Sequence, residues 1–205
     1  MHTHRVVLVL TSADHMGTAS EPTGAWLEEV AAPYYAFVDA RCEVLLASPL
    51  GGPAVIDPKS RTETYKTPST RRFEADTKAQ HALANTMPLM ALNATHFDAL
   101  YFAGGHGTME DFPHDSEVLR LVESCYASGT PLASVCHGPA CLVNARKPDG
   151  TPLVRGHSVT CFSDAEEAAI ELTSHVPFLL ESRLRDLGAR FSCATAFEKH
   201  VVVDG

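Results

Sequence analysis

Apolar and polar positions along this chain change period from block to block, and each change predicts a new element. Val6 to Leu10 is an unbroken apolar run of strand length, the signature of a strand buried on both faces. Polar residues 12 to 22, with Gly17 and Pro22, read as a loop. Trp26, Leu27, Val30, Tyr34, Phe37 and Val38 recur at helical spacing, predicting a helix from near Thr23 to Arg41. Pro33 inside that pattern predicts a kink or break, because proline removes an N–H and its ring clashes with the preceding turn. Val44 to Ala47 reads as a second strand. Residues 53 to 74 are polar and proline-bearing, and predict a long surface loop of the kind that often carries function. Ala79 to Met90 reads as helix, Phe97 to Ala103 as a third strand, Ser116 to Ser128 as helix and Pro131 to Val135 as a fourth strand. A short helix near Ala140 to Ala145 follows. Val154 to Thr160 contains another strand. Phe178, Leu179, Leu180 and Leu184 mark a late helix closed by Gly188, and Phe191 to Ala196 and His200 to Val203 read as terminal strands.

Strands that alternate with helices predict one α/β domain over residues 1–205, a three-layer α/β/α sandwich around a mostly parallel sheet. Sixteen Lys and Arg against 25 Asp and Glu leave a net charge of −9, which argues against a nucleic-acid partner, since that needs clustered basic residues. Arg71-Arg72 is an isolated pair. The apolar run near the start is too short for a secretory h-region or a membrane span, so a cytoplasmic, non-membrane protein is expected. Cys42, Cys125, Cys136, Cys141, Cys161 and Cys193 are then expected as reduced thiols. None forms a Cys-x-x-Cys pair, which leaves a zinc ribbon without support. His2 and His4 read as terminal residues rather than metal ligands, and no metal is expected.

In open α/β sheets ligands bind beyond the carboxyl ends of the strands. There, an apolar strand runs into Cys136-His137-Gly138-Pro139 and then a helix. That is the layout of a nucleophile elbow, in which a sharp turn exposes the side chain and frees a backbone N–H as an oxyanion donor. A helix N-terminus would favour the thiolate. A buried thiol packing as a small hydrophobe is the competing reading. His137 reads either as a proton-transfer partner or as a turn residue. Gly104-Gly105-His106-Gly107 supplies flexible N–H groups suited to an oxyanion site, with a plain tight turn as the alternative. Glu110 stands where a dinucleotide fingerprint needs glycine, and no Gly-Lys-Ser/Thr follows.

At these residues the chain resembles the ThiJ/PfpI superfamily, of the flavodoxin-like, class I glutamine amidotransferase-like fold. Ala133-Ser134-Val135-Cys136-His137-Gly138-Pro139-Ala140 is similar to its elbow. A closer resemblance, to the glutathione-independent glyoxalases also described as heat-shock chaperones, is carried by four segments. These are Thr23-Gly24-Ala25-Trp26-Leu27-Glu28-Glu29 with Pro33, Ala47-Ser48-Pro49 with Gly51-Gly52, Ala103 to Thr108 with Asp111-Phe112-Pro113, and Thr160 to Asp164 with Glu166-Glu167. The resemblance implies that Glu29 is the acidic partner of Cys136, with Glu28 as the neighbouring alternative. It implies that Glu167 orients His137, with Glu166 as its alternative.

The implied chemistry uses no cofactor. The Cys136 thiolate attacks the aldehyde of methylglyoxal or a related 2-oxoaldehyde. Glu29 or His137 moves a proton from C1 towards C2 through an enediol, and the thioester hydrolyses to a 2-hydroxy acid such as D-lactate. Gly105 and His137 N–H groups hold the oxyanion, with Gly104 and His106 beside them. A holdase chaperone and a Cys-dependent peptidase or amidase are the alternatives. Homodimers are common in the family, making a homodimer one expectation. Two departures are Cys161, where glycine is usual, and the ending at Gly205, where the family continues into a further strand and a closing helix.

Overall fold

The computed structural model describes residues 3–17 and 21–204; His2 and Gly205 lie outside them. Strand β1 (Arg5–Val9) is the centre of a parallel five-stranded sheet. It pairs on one side with β2 (Glu43–Ser48), which carries the short β3 (Met87–Pro88). On the other side it pairs with β4 (Ala99–Phe102), which carries β5 (Leu132–Ser134). The order β3-β2-β1-β4-β5 reverses direction at β1, so a crevice opens at the carboxyl ends of β1 and β4.

The uninterrupted apolar character of β1 follows from its two buried faces. Val6 and Leu8 pack with Leu27, Val30 and Tyr34 of helix α1 (Leu27–Asp39). Val7 and Val9 pack on the opposite face with Val118, Leu121 and Val122 of α5 (Ser116–Ser128). Adjacent residues of a strand point to opposite faces, so one strand feeds both cores of the α/β/α sandwich. Helix α5 has the bounds its spacing predicts; Asp115 caps its first turn and Gly129, at φ 69°, ends it.

Several expectations are corrected. Helix α1 begins at Leu27 rather than near Thr23, because the segment before it is held extended: Ala25 bridges Ile56, and Trp26 N–H donates to the Gly104 carbonyl at 3.0 Å. The same helix continues unbroken through Pro33. Residues 53–74 are not a loop. They contain two 3-10 turns, Pro58–Arg61 and Glu63–Tyr65, and the start of α2 (Pro68–Ala75). Asp57-Pro58 and Thr67-Pro68 are each a cap followed by proline in the first turn, a helix start that needs little hydrophobicity. Helix α3 (Thr77–Ala84) stops short of Met90, with Met87-Pro88 joining the sheet edge instead. The helix after the elbow is a 3-10 turn, Gly138–Leu142.

Helix α4 (Thr108–Asp111) follows the glycine-rich turn. Strand β6 (Ser158–Val159) precedes α6 (Asp164–Ala169) and α7 (Leu180–Asp186), and pairs in parallel with β7 (Arg190–Phe191) as a separate two-stranded sheet. His200 to Val203 form no strand; Val201 and Val203 face solvent with no neighbouring strand to pair. Cys125, Cys141 and Cys161 are buried as core thiols, Cys42 is half-buried, and Cys193 is exposed. No described helix is long and apolar enough to cross a membrane.

Candidate active site

Three segments leave the sheet at the crevice and meet. The chain leaving β5 turns at Cys136, whose φ of 56° places a non-glycine residue in the left-handed region. That conformation costs about 1–2 kcal/mol, and the surrounding bonds hold it. Gly138 N–H donates to the Val135 carbonyl at 2.7 Å, and Phe162 N–H donates to the Cys136 carbonyl at 2.8 Å. The turn is the sharp elbow that the sequence predicts. Glycine is required at position 138, where a Cβ would lie 2.6 Å from the Phe102 carbonyl oxygen.

Glu29, in the first turn of α1, approaches Cys136 from the other side of the crevice. Gly104 permits this, since a Cβ there would collide with the Glu29 carboxyl and with Cys136. Burial pushes the Glu29 carboxyl up to about 7, against the opposing pull of the Cys136 thiol and the Gly104 N–H. Its Oε2 is buried without a hydrogen-bond partner among the described residues, which makes it a natural seat for a proton. Cys136 is raised too, first by burial and then by the Glu29 charge, while the N–H groups of His137 and Gly105 favour the thiolate. The expected lowering by a helix N-terminus is not found: the helix that follows is a five-residue 3-10 turn, and burial, with the Glu29 charge, outweighs it. Thiol and carboxyl titrate as a pair. Glu28 turns away and accepts from the Thr67 hydroxyl.

His137 lies with Nδ1 3.3 Å from Cys136 Sγ and Nε2 2.8 Å from Glu167 Oε2. Burial pushes His137 down to about 4, so the ring is neutral at pH 7. Glu167 is buried on α6. Hydrogen bonds from His106 and His137 outweigh the effect of burial and bring its carboxyl down to about 2. Glu166 instead closes a capping box with Ser163 and accepts from Phe197 N–H at 2.7 Å, so the neighbouring acid has a structural task. His106 does more than turn the chain. It lines the pocket, its Nε2 is 2.9 Å from Glu167 Oε1, and its ring lies 4.1 Å from that of His137. Ligand atoms of His106, His137 and Glu167 lie within 4.8 Å of one another, a spacing that these hydrogen bonds already account for.

Cys136, His137, Glu29, Gly105 and His106 line a pocket of about 700 Å³, walled by Trp26, Tyr65, Phe162 and Phe197 among others, with Glu167 behind the two imidazoles. Trp26 stands edge-on to Tyr65 at 4.9 Å. The structure thus brings together Cys136, His137, Glu29, Glu167, Gly104, Gly105 and His106. Sequence reasoning missed Tyr65, Phe162 and Phe197 as pocket walls, for no local pattern separates such rings from core aromatics. It also missed Asp111, which accepts from the Thr11 hydroxyl at 2.8 Å and from Ser12 N–H at 2.7 Å and so fixes the loop after β1. Burial pushes Asp111 up to about 6.

The sequence pattern of the DJ-1/PfpI family matches residues 23–183. Glutathione-independent glyoxalase hsp3101 of Schizosaccharomyces pombe is 32% identical over 178 residues, 85% of this chain and 72% of that protein. Glyoxalase 3 of Candida albicans is 27% identical over 82% of this chain and 73% of its own length. Among solved structures, Rapid Encystment Protein 24 KDa from Francisella tularensis superposes with a TM-score of 0.94 at 37% identity, covering 98% of this chain and 89% of its own.

Proposed function

The chain belongs to the DJ-1/PfpI family, and from that premise we propose that it is a glutathione-independent glyoxalase. It converts methylglyoxal or a related 2-oxoaldehyde to a 2-hydroxy acid, D-lactate for methylglyoxal, without metal or nucleotide. The observation that carries this reading is Glu29, raised to about 7, against the Cys136 thiol. Acyl hydrolysis alone has no need of a second acid on that side of the sulfur.

Cys136 sulfur gives its proton to His137 Nδ1, 3.3 Å away, and attacks the aldehyde carbon C1, and a C–S bond forms. The carbonyl oxygen takes the proton held on Glu29, giving a hemithioacetal. The carboxylate left on Glu29 takes the hydrogen of C1 as a proton; its electron pair forms the C1–C2 double bond while the C2 carbonyl pair moves to oxygen, which takes the proton from His137, giving an enediol. Glu29 gives that proton to C2 and takes the proton of the C1 hydroxyl, which yields the thioester of the 2-hydroxy acid, and water releases the acid. One water is consumed overall, and C1 is oxidised as C2 is reduced. Backbone N–H groups of Gly105 and His137, which already stabilise negative charge on Sγ, also serve the oxyanion. The relatives' names support the glyoxalase class.

The test incubates the protein with methylglyoxal, without glutathione, and follows loss of aldehyde and appearance of D-lactate. Cys136→Ala is expected to abolish turnover and Glu29→Gln to lower kcat by about 10²-fold or more. A folded, reduced wild type that yields no lactate would overturn the reading.

A further inference from the structure

Glu167 accepts hydrogen bonds from two imidazoles, Nε2 of His106 at 2.9 Å and Nε2 of His137 at 2.8 Å. An ionised carboxylate can only accept, so both Nε2 atoms carry the hydrogen. In a neutral imidazole the other nitrogen is then a lone-pair base. One carboxylate therefore sets two histidines in the same tautomer, each presenting Nδ1 as a base. The Nδ1 of His137 is committed to sulfur, 3.3 Å from Sγ. Its ring is only 1% exposed, between His106 at 4.1 Å and Phe162 at 4.5 Å. His106 differs on both counts. Its side chain is 14% exposed and lines the same pocket as Cys136, and no described residue hydrogen-bonds its Nδ1.

We propose that His106 is the general base for the water that releases the acyl group from Cys136, a task separate from that of His137. This rests on the reading of Cys136 as a nucleophile that passes through a thioester, whichever substrate delivers the acyl group. Water entering from the pocket gives one proton to His106 Nδ1 as its oxygen bonds to the thioester carbon. The tetrahedral oxyanion sits on the N–H groups of Gly105 and His137. On collapse the C–S bond breaks with its electron pair passing to Sγ, and the proton on His106 returns to sulfur through pocket water. The products are a carboxylic acid and the free thiol. A residue needed only for the glycine-rich turn would not require a carboxylate on its ring.

The test uses p-nitrophenyl acetate, which acylates a reactive cysteine independently of the natural substrate. Wild type is expected to give a nitrophenolate burst of one per Cys136, then steady turnover. His106→Gln keeps an N–H donor for Glu167 but has no base. It is expected to keep the burst and the wild-type rate of iodoacetamide alkylation, while deacylation slows by about 10²-fold. The acetyl group should be found on Cys136 by intact mass, and hydroxylamine should restore its release. His106→Asn should behave likewise. Unchanged deacylation in both variants overturns the proposal. So does a parallel fall in burst, alkylation and deacylation, for His106 would then only hold Glu167 and His137 in place. A wild type without a burst overturns this proposal together with the nucleophile reading. A wild type with a burst but no lactate from methylglyoxal sinks the glyoxalase reading alone, and the deacylation rates still decide the role of His106.

Discussion

At the scale of single residues, Glu29 links stability to chemistry. Its carboxyl ionises near 4.5 in the unfolded chain and near 7 in the fold. The folded state therefore binds the proton more tightly, and the stability this contributes is complete below about pH 4.5 and lost as pH rises through 7. At about 1.4 kcal/mol per pH unit of difference, the loss amounts to about 3 kcal/mol. Glu29→Gln, neutral at every pH, should match wild type in chemical denaturation at pH 4 and exceed it by that amount at pH 8. Asp111, raised in the same direction, acts equally in both proteins and cancels. Equal stability of the two proteins at pH 8 would show that Glu29 is not held protonated. Cys136, Glu29 and Glu167 were legible as residues because each stands in a short recognisable segment. The double hydrogen bond of Glu167 was not, since His106 and Glu167 are 61 positions apart.

At the scale of elements, the short helix α6 carries Glu167, and its start is fixed by the Ser163–Glu166 capping box. Ser163→Ala should cost about 1 kcal/mol and lower kcat, because the turn that aims Glu167 loosens. Asp115→Ala removes the cap of α5 at a similar cost of about 1 kcal/mol, and should leave kcat unchanged, for α5 supplies no residue to the pocket. Denaturant melts and initial rates on the two variants test the difference. The long helices and β1 were legible from periodicity, since their apolar faces reflect burial directly. The 3-10 turns and α2 were not: in Pro68–Ala75 only Thr70 and Phe73 are buried, too few to set a period.

At the scale of the whole molecule, the pocket exists because two parts of the chain close on each other at Gly105. With φ at 106°, a Cβ there would strike the Gly24 carbonyl oxygen and the Trp26 nitrogen. Those atoms belong to the segment that leads Glu29 into place. Gly105→Ala should destabilise the protein by about 2 kcal/mol or more and slow turnover in the fraction that remains folded. Circular dichroism melts beside turnover per folded molecule would check both, and a variant of native stability and rate would contradict this account of the crevice.

The amino-acid sequence alone was enough to read the parallel α/β sandwich and the elbow at Cys136, and the family resemblance narrowed its acidic partners to two adjacent pairs. Strand burial, turn strain and short motifs are local properties written in consecutive residues. Only the tertiary structure decided which member of each acidic pair faces the site, turning Glu29 and Glu167 inward and giving Glu28 and Glu166 to Thr67 and Ser163. It also decided the protonation of the site. The sequence places Cys136 before a helix and so suggests a lowered thiol, whereas burial raises both Cys136 and Glu29 towards their protonated forms. Burial and the distance between charges depend on the packing of remote segments, and no local pattern carries them.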